Sequence, residues 1–271
     1  MQETLDNEIE KIAQNDEKQK DIFITRWEYV SPASAQKLLQ SLTTNTFCTH
    51  VSLEWVSHLP YDILSKAIIS NTVITTLILR DIELGDNGLK AITKALHYNN
   101  TIKYLTLSNI GATNHKFFAK IMGFNAVEEF IISFNYISSS SMLLISEALQ
   151  SNTSITNLNM YCNSIGVKGA ASLGVALSRN NSLKILNISC NQIKNCPQPL
   201  LTALSTCFLR TFDFSGNLSN NVDVEKLDDS ILANPSIKEA TYDTVDIKTS
   251  ERLQACLSYR QTNDKSSNIS I

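Results

Sequence analysis

The chain repeats itself. From about residue 21 to residue 248 a segment of roughly 28 residues returns eight times, most clearly at Leu77-Ile78-Leu79, Leu105-Thr106-Leu107, Leu158-Asn159-Met160 and Leu186-Asn187-Ile188. A fixed period of 20–50 residues marks a solenoid, because each unit can bury its apolar face only against its neighbours. Such a fold offers a long continuous surface and seldom a closed catalytic pocket. The repeat therefore constrains fold and mode of action far more than it constrains the identity of a ligand.

Counted from the first apolar strand residue, the repeats begin at Ile22, Val51, Leu77, Leu105, Phe130, Leu158, Leu186 and Phe212, with Ala240 as a degraded ninth. The steps between them are 29, 26, 28, 25, 28, 28, 26 and 28 residues. Around each anchor the pattern alternates: Leu77 and Leu79 point in, and Thr76, Ile78 and Arg80 point out. That is a short, half-buried strand. Farther along each unit the period changes. Leu89, Ile92 and Leu96 fall at i, i+3, i+7, as do Met142, Ile145 and Leu149, and Ala170, Leu173 and Leu177. This spacing lays one apolar stripe along a helix.

Gly88, Gly169 and Pro197 share one repeat position and are expected to open their helices. Asn99, Asn152 and Asn180 follow helices and are expected to close them in the left-handed conformation. Five residues past the anchor, Asn135, Asn163, Asn191 and Asn217 are expected to stack as a ladder that satisfies turn backbone. Trp27, Val56, Ile82 and Ile110 hold that place in the earlier repeats, where packing should secure the turn. Parallel strands stack about 4.8 Å apart, whereas helices are about 10 Å across. The expected fold class is an α/β horseshoe of eight to nine repeats, with strands on the concave face and helices on the convex face.

Composition narrows the function. A net charge of −3 and a pI near 5.8 leave no basic footprint for nucleic acid. No apolar run approaches the ~18 residues of a membrane span, and Met1 to Glu8 lack the layout of a secretory signal. A cytoplasmic, reducing compartment is expected, with all six cysteines reduced. Cys162 and Cys190 occupy the same place in consecutive repeats. They would offer a soft metal two ligands, although crowding of adjacent strands accounts better for small residues there. No metal or cofactor is expected. Phosphate loops, dinucleotide fingerprints, His-Glu-x-x-His and Cys-x-x-Cys are absent from the sequence. Cys48 and His50 lack the third group and oxyanion site that a thiol–base pair needs.

Both ends of a solenoid must be covered. Leu5, Ile9 and Ile12 suit a capping helix within residues 1–20, ahead of the repeat domain at 21–248. Residues 249–271 are expected to hold a second cap, opened by Ser250 and running through Leu253 and Leu257, and then a mobile polar tail.

The stretch Ile155-Thr156-Asn157-Leu158-Asn159-Met160-Tyr161-Cys162-Asn163-Ser164-Ile165-Gly166 resembles the ribonuclease-inhibitor class of leucine-rich repeats. The resemblance covers about four-fifths of the chain and is specific for fold. It implies protein binding through the concave sheet, in some members by covering a partner enzyme's active site. Two departures stand out: the array is short, and the asparagine ladder is missing from its N-terminal half. The polar, Asn/Ser/Ile-rich composition and the tail Ser266-Ser267-Asn268-Ile269-Ser270-Ile271 are also similar to leucine-rich-repeat effectors that intracellular bacteria inject into host cells. That likeness implies a host protein, or another effector or enzyme, as the partner.

Large side chains gather on the outward strand face of the first six repeats. Phe23, Glu54, Trp55, Ile78, Arg80, Asp81, Ile131, Phe134 and Tyr161 are the candidate protein-binding residues. Trp55, Arg80, Phe134 and Tyr161 would be the anchors, since interface energy concentrates in a few Trp, Tyr and Arg side chains. Glu54 and Asp81 would flank them. Two alternatives stand beside this reading: Trp55 and Phe134 turn inward at the short 26- and 25-residue steps, and Arg80 forms a surface ion pair with Asp81. The expected function is non-enzymatic binding of a protein partner by a chain that is monomeric in isolation. The competing readings are a structural or self-associating scaffold, and an enzyme with an unrecognised motif. No non-repeat segment is large enough for a separate catalytic domain.

Overall fold

The computed structural model describes residues 2–25, 31–55, 59–217, 221–243, 254–258 and 260–261. Trp27, Val56, Ser250, Leu253 and the polar tail from residue 262 onward lie outside the described residues. The chain forms two compact units, Met1–Asn135 and Tyr136–Ile271.

The first unit runs α1 (Gln2–Ala13), β1 (Asp21–Thr25), α2 (Pro32–Ser41), β2 (His50–Glu54), α3 (Tyr61–Ser70), β3 (Thr76–Arg80), α4 (Gly85–Tyr98), β4 (Tyr104–Ser108), α5 (Lys116–Gly123) and β5 (Glu129–Ile131). The second runs α6 (Ser139–Ser151), β6 (Asn157–Asn159), α7 (Gly166–Leu177), β7 (Ile185–Asn187), α8 (Gln198–Leu204), β8 (Thr211–Asp213), α9 (Asn221–Ala233) and β9 (Glu239–Thr241). Residues 254–258 are again helical. Within each unit the strands are parallel and lie side by side in chain order. The register sets anchor against anchor: Ile22, Val51, Leu77, Leu105 and Phe130 align in the first unit. Leu158, Leu186, Phe212 and Ala240 align in the second.

Alternation and the helical stripe together build the core. Every anchor from Ile22 to Phe212 is buried, as is the residue two farther on, from Ile24 to Phe214. Leu89, Ile92, Leu96, Met142, Ile145, Leu149, Ala170, Leu173 and Leu177 face them from the helices and are buried too. Each fully buried Leu, Ile or Phe stabilises by about 1.5–3 kcal/mol, so the repeated stripe is what orders the coil.

The helix starts differ from the sequence reading. Gly85 and Gly166, with φ of 62° and 60°, open α4 and α7. Gly88 and Gly169 sit one turn farther in, where a Cβ would come within 2.6–2.7 Å of Leu84 and Ile165 side-chain carbons. They are close-packing positions rather than openers. Pro197 precedes α8 as its N-cap residue.

The helix ends differ more. Asn99 and Asn152 are extended, with ψ of 126° and 132°, and neither Asn180 nor any other buried asparagine after a helix has positive φ. They form a second ladder that the sequence reading took for ordinary caps. Asn99 Nδ2 donates to Ile68 O (2.7 Å) and Asn71 O (3.0 Å), and its Oδ1 accepts from the amides of Thr101 and Ile102. Asn71 makes the same set to Leu42 O, Asn45 O, Val73 N and Ile74 N. Asn180 makes it to Leu149 O, Asn152 O, Ser182 N and Leu183 N. One amide thus fixes its own return turn and satisfies two carbonyls of the preceding repeat. Burial of Asn152 and Asn180 also explains their Asn-x-Ser pattern as repeat grammar.

The expected strand-side ladder is present. Asn191 Nδ2 donates to Met160 O, Ile188 O and Ser189 O, and its Oδ1 accepts from Ile165 N. Asn217 Oδ1 accepts from Asn191 N and Ile193 N. Asn135 and Asn163 act likewise in their own units. Ile82 and Ile110 fill the corresponding place as buried apolar residues.

At the N-terminal end Ile9 and Ile12 of α1 are buried, and Asn45 Nδ2 donates to Ile12 O. At the C-terminal end Leu257 is buried, and the Arg260 guanidinium donates to Ile231 O, Leu232 O, Asn234 O and Ile237 O. Arg260 thus takes up the carbonyls that an asparagine of a further repeat would otherwise bind. Nothing in the sequence pattern signals that role.

Burial pushes the thiols of Cys48 and Cys196 up from 9.0 to about 12. Both stay protonated in the fold, while in the unfolded chain they ionise near pH 9. The unfolded state then binds fewer protons, so this stabilisation is complete below about pH 9 and is lost as pH rises toward about 12. The urea midpoint should fall across that window more steeply for the native chain than for a Cys48→Val/Cys196→Val variant. Equal slopes would show that these thiols do not carry the effect.

Candidate protein-binding face

Four residues past the anchors from Val51 to Phe212 the backbone does something the sequence does not announce. Trp55, Asp81, Asn109, Phe134, Cys162, Cys190 and Gly216 all have positive φ, between 49° and 71°. The turn that leaves each strand from β2 to β8 holds a left-handed residue. Only Gly216 adopts that conformation without a Cβ penalty, and Asn109 and Asp81 at a reduced one. For a bulky side chain the conformation costs on the order of 1–2 kcal/mol.

Trp55 and Phe134 bear this cost while 60% and 47% exposed. Neither turns inward. Phe23 on β1 is 64% exposed, and Ile78 and Ile131 are half-buried in the same outward row on β3 and β5, separated from it and from each other by Ser52 and Thr106. Tyr104, at the start of β4, is a further exposed aromatic outside the candidate set.

The charged candidates are partnered. Arg80 Nη1 lies 3.9 Å from Glu54 Oε1, and Ser52 Oγ donates to the same oxygen. Asp81 Oδ1 accepts from Asn109 Nδ2 at 2.7 Å. The ion pair of Arg80 is therefore with Glu54 rather than Asp81, and a pair this exposed contributes little to stability. It positions both groups on the face that holds Trp55.

Tyr161 belongs to the second unit, whose outward face is polar and self-satisfied. Asn159 Oδ1 accepts from Tyr161 N, Asn187 Oδ1 from Ser189 N, and Asp213 Oδ1 from Ser215 N. The Tyr161 hydroxyl is held by Cys162 and Cys190, and its hydrogen bond with Cys162 is the main cause of a raised pKa. Phe23 and Trp55 of the first unit are thus largely exposed, while second-unit side chains bind one another.

No nucleophilic arrangement emerges at Cys48 and His50. The Cys48 thiol donates to the backbone oxygen of His50, and the imidazole Nδ1 lies near Asp21 Oδ1 (3.3 Å) and Thr49 Oγ1 (3.1 Å). His115 is buried against Phe118, and that burial lowers its pKa. Asp86 is lowered by the backbone amides of Asn114 and Thr113, which it ties down ahead of α5. Among the described residues no group of three or more His, Cys, Asp or Glu side chains is placed to hold a metal ion. No described helix is long and apolar enough to cross a membrane.

A family model for the leucine-rich repeat matches residues 151–174 and 179–195, the segment with both asparagine rows. No curated protein sequence matches the chain. The chain is similar to many solved structures, among them two that cover nearly its whole length. Actin-binding site 2 of leiomodin-1 is 12% identical, with 97% of this chain and 92% of that chain covered and a TM-score of 0.33. The C-terminal domain of tropomodulin from Caenorhabditis elegans is 9% identical, with 98% and 99% covered and a TM-score of 0.23. At those scores neither likeness bears on function. The matched repeat, the parallel strands in chain order and the alternating helices make this an α/β leucine-rich-repeat solenoid fold.

Proposed function

We propose that the protein is a non-enzymatic binding module that docks a protein partner on the outward strand face of its first unit. Phe23, Trp55, Ile78, Ile131 and Phe134 form the apolar contact, and Glu54, Arg80 and Asp81 orient it. Tyr161 offers a further contact on the second unit. The observation that carries this reading is the pair Trp55 and Phe134, large aromatics held exposed in a left-handed backbone that Asn109 and Gly216 occupy at less cost. Backbone strain held in place by the surrounding fold clusters at functional sites, and exposed apolar residues on one face mark docking surfaces.

The experiment is affinity capture from the protein's native cells with the wild-type chain and a Trp55→Asn/Phe134→Asn variant. Asparagine suits the left-handed position, so the variant should keep or raise its unfolding midpoint while losing the partner. Each anchor is worth about 2 kcal/mol or more, so together they lower affinity roughly 1000-fold. Full retention by the folded variant would overturn the proposal. We assign the repeats to the ribonuclease-inhibitor class on their 28-residue step. Covering of a partner enzyme's active site is the form of binding that class implies, and titrating the captured enzyme with this chain measures it. Delivery into a host cell, implied by the composition, is measured with a translocation reporter fused to the chain.

A further inference from the structure

We propose that Cys162 and Cys190 are an oxidation site for hydroperoxides, closing to a reversible disulfide between neighbouring repeats of the second unit. Four observations meet there. Asn159 pairs with Asn187 in the parallel register of β6 and β7, which sets Cys162 beside Cys190 three residues on. The pairing continues to that point, since Cys162 N donates to Ser189 O (3.1 Å) and Cys190 N to Ser215 O (2.7 Å). Parallel neighbours lie about 4.8 Å apart, inside the ~4.4–6.8 Å span of Cα atoms joined by a disulfide. Both residues share one backbone conformation, φ 55° and 53°, so their side chains leave the chain alike.

The two thiols interact with each other and with the Tyr161 hydroxyl. Gly216 makes the room: a Cβ there would stand 2.6 Å from Cys190 Sγ. Cys162 and Cys190 are partly exposed, as is Cys256, whereas Cys48, Cys196 and Cys207 are buried. Asparagine or glycine would hold the left-handed position with less strain than cysteine.

The chemistry balances with a hydroperoxide as oxidant. The step is the same from either thiol. With Cys162 as the attacker, its sulfur takes the terminal oxygen of ROOH, the O–O bond breaks, and the thiol proton leaves with the alkoxide as ROH. The Cys162 sulfenic acid is then attacked by the Cys190 sulfur. The S–O bond breaks, the S–S bond forms, and the Cys190 proton leaves with hydroxide as water. Two thiols lose two electrons and two protons, and the hydroperoxide is reduced. Closure removes both thiol partners of the Tyr161 hydroxyl.

The full chain should be treated with hydrogen peroxide, alkylated with N-ethylmaleimide, digested and weighed. The expected product is a Cys162–Cys190 linked peptide from monomeric protein, lost again on adding dithiothreitol. A Cys162→Ser variant should leave Cys190 alkylated. A second probe needs no substitution: phenylarsine oxide, which binds paired thiols, should protect both residues from maleimide at one equivalent. Alkylation of both after peroxide, their conversion to sulfinic acids, links to other cysteines or other chains, or lack of arsenical protection would each overturn the proposal.

Discussion

Gly174→Ala is expected to lower the unfolding midpoint of the second unit by about 5–10 °C. Gly174 is buried in α7, and a Cβ there would stand 2.5 Å from Leu200 N and Pro199 C and 2.6 Å from Leu200 Cα. All three atoms are backbone of α8, so no rotamer change relieves the overlap. One helix must move by roughly 1 Å to restore van der Waals distance. Overpacking of this kind costs about 1–3 kcal/mol and sometimes more, and here it spoils the contact that stacks two repeats. Helix propensity returns about 1 kcal/mol when alanine replaces glycine, which is too little to offset it. Gly123→Ala is the control. Gly123 ends α5 with nothing within 4 Å of its added Cβ, so that variant should lose no stability. Thermal circular dichroism of the two variants checks both signs.

Asn180→Ala is expected to cost about 3 kcal/mol or more. The change leaves Leu149 O, Asn152 O, Ser182 N and Leu183 N without the partner that holds them at 2.7–3.0 Å. The site is buried, so water does not readily replace the amide. A single orphaned buried group costs about 1–3 kcal/mol. Asn180→Asp is the sharper test because it keeps the shape. Its carboxylate still accepts from the two amides but faces two carbonyl oxygens with no proton to give. Protonating it restores one donor, so its deficit should shrink as pH falls and grow as pH rises toward neutrality. A urea midpoint for Asn180→Asp equal to wild type at neutral pH would show that the amide donors are not essential.

These two positions also show what the sequence could reveal. The period located every strand and the buried face of the helices, because burying one stripe per turn leaves a mark at fixed spacing. Asn135, Asn163, Asn191 and Asn217 were legible for the same reason. Asn180 was seen but misread: asparagine after a helix suits both a left-handed cap and a buried hydrogen-bonding post, and only burial separates them. Gly169 was assigned to a helix start because glycine serves tight turns and close packing alike. Arg260 was missed altogether, since a single guanidinium closing the last repeat has no period. The candidate face was half legible. The outward rows gave Phe23, Ile78 and Ile131. The left-handed turn under Trp55 and Phe134 was hidden, because glycine, its usual sign, occupies only one of the seven positions.

The most direct measurement is a pair of photo-crosslinking variants, Trp55→p-benzoylphenylalanine on the strand face and Ile69→p-benzoylphenylalanine on helix α3. Both native side chains are exposed, at 60% and 44%, so accessibility does not favour one position. Irradiated in the native cells, the first should yield a discrete protein adduct and the second none. An adduct from Ile69→p-benzoylphenylalanine with none from Trp55→p-benzoylphenylalanine would place docking on the helices and contradict the account.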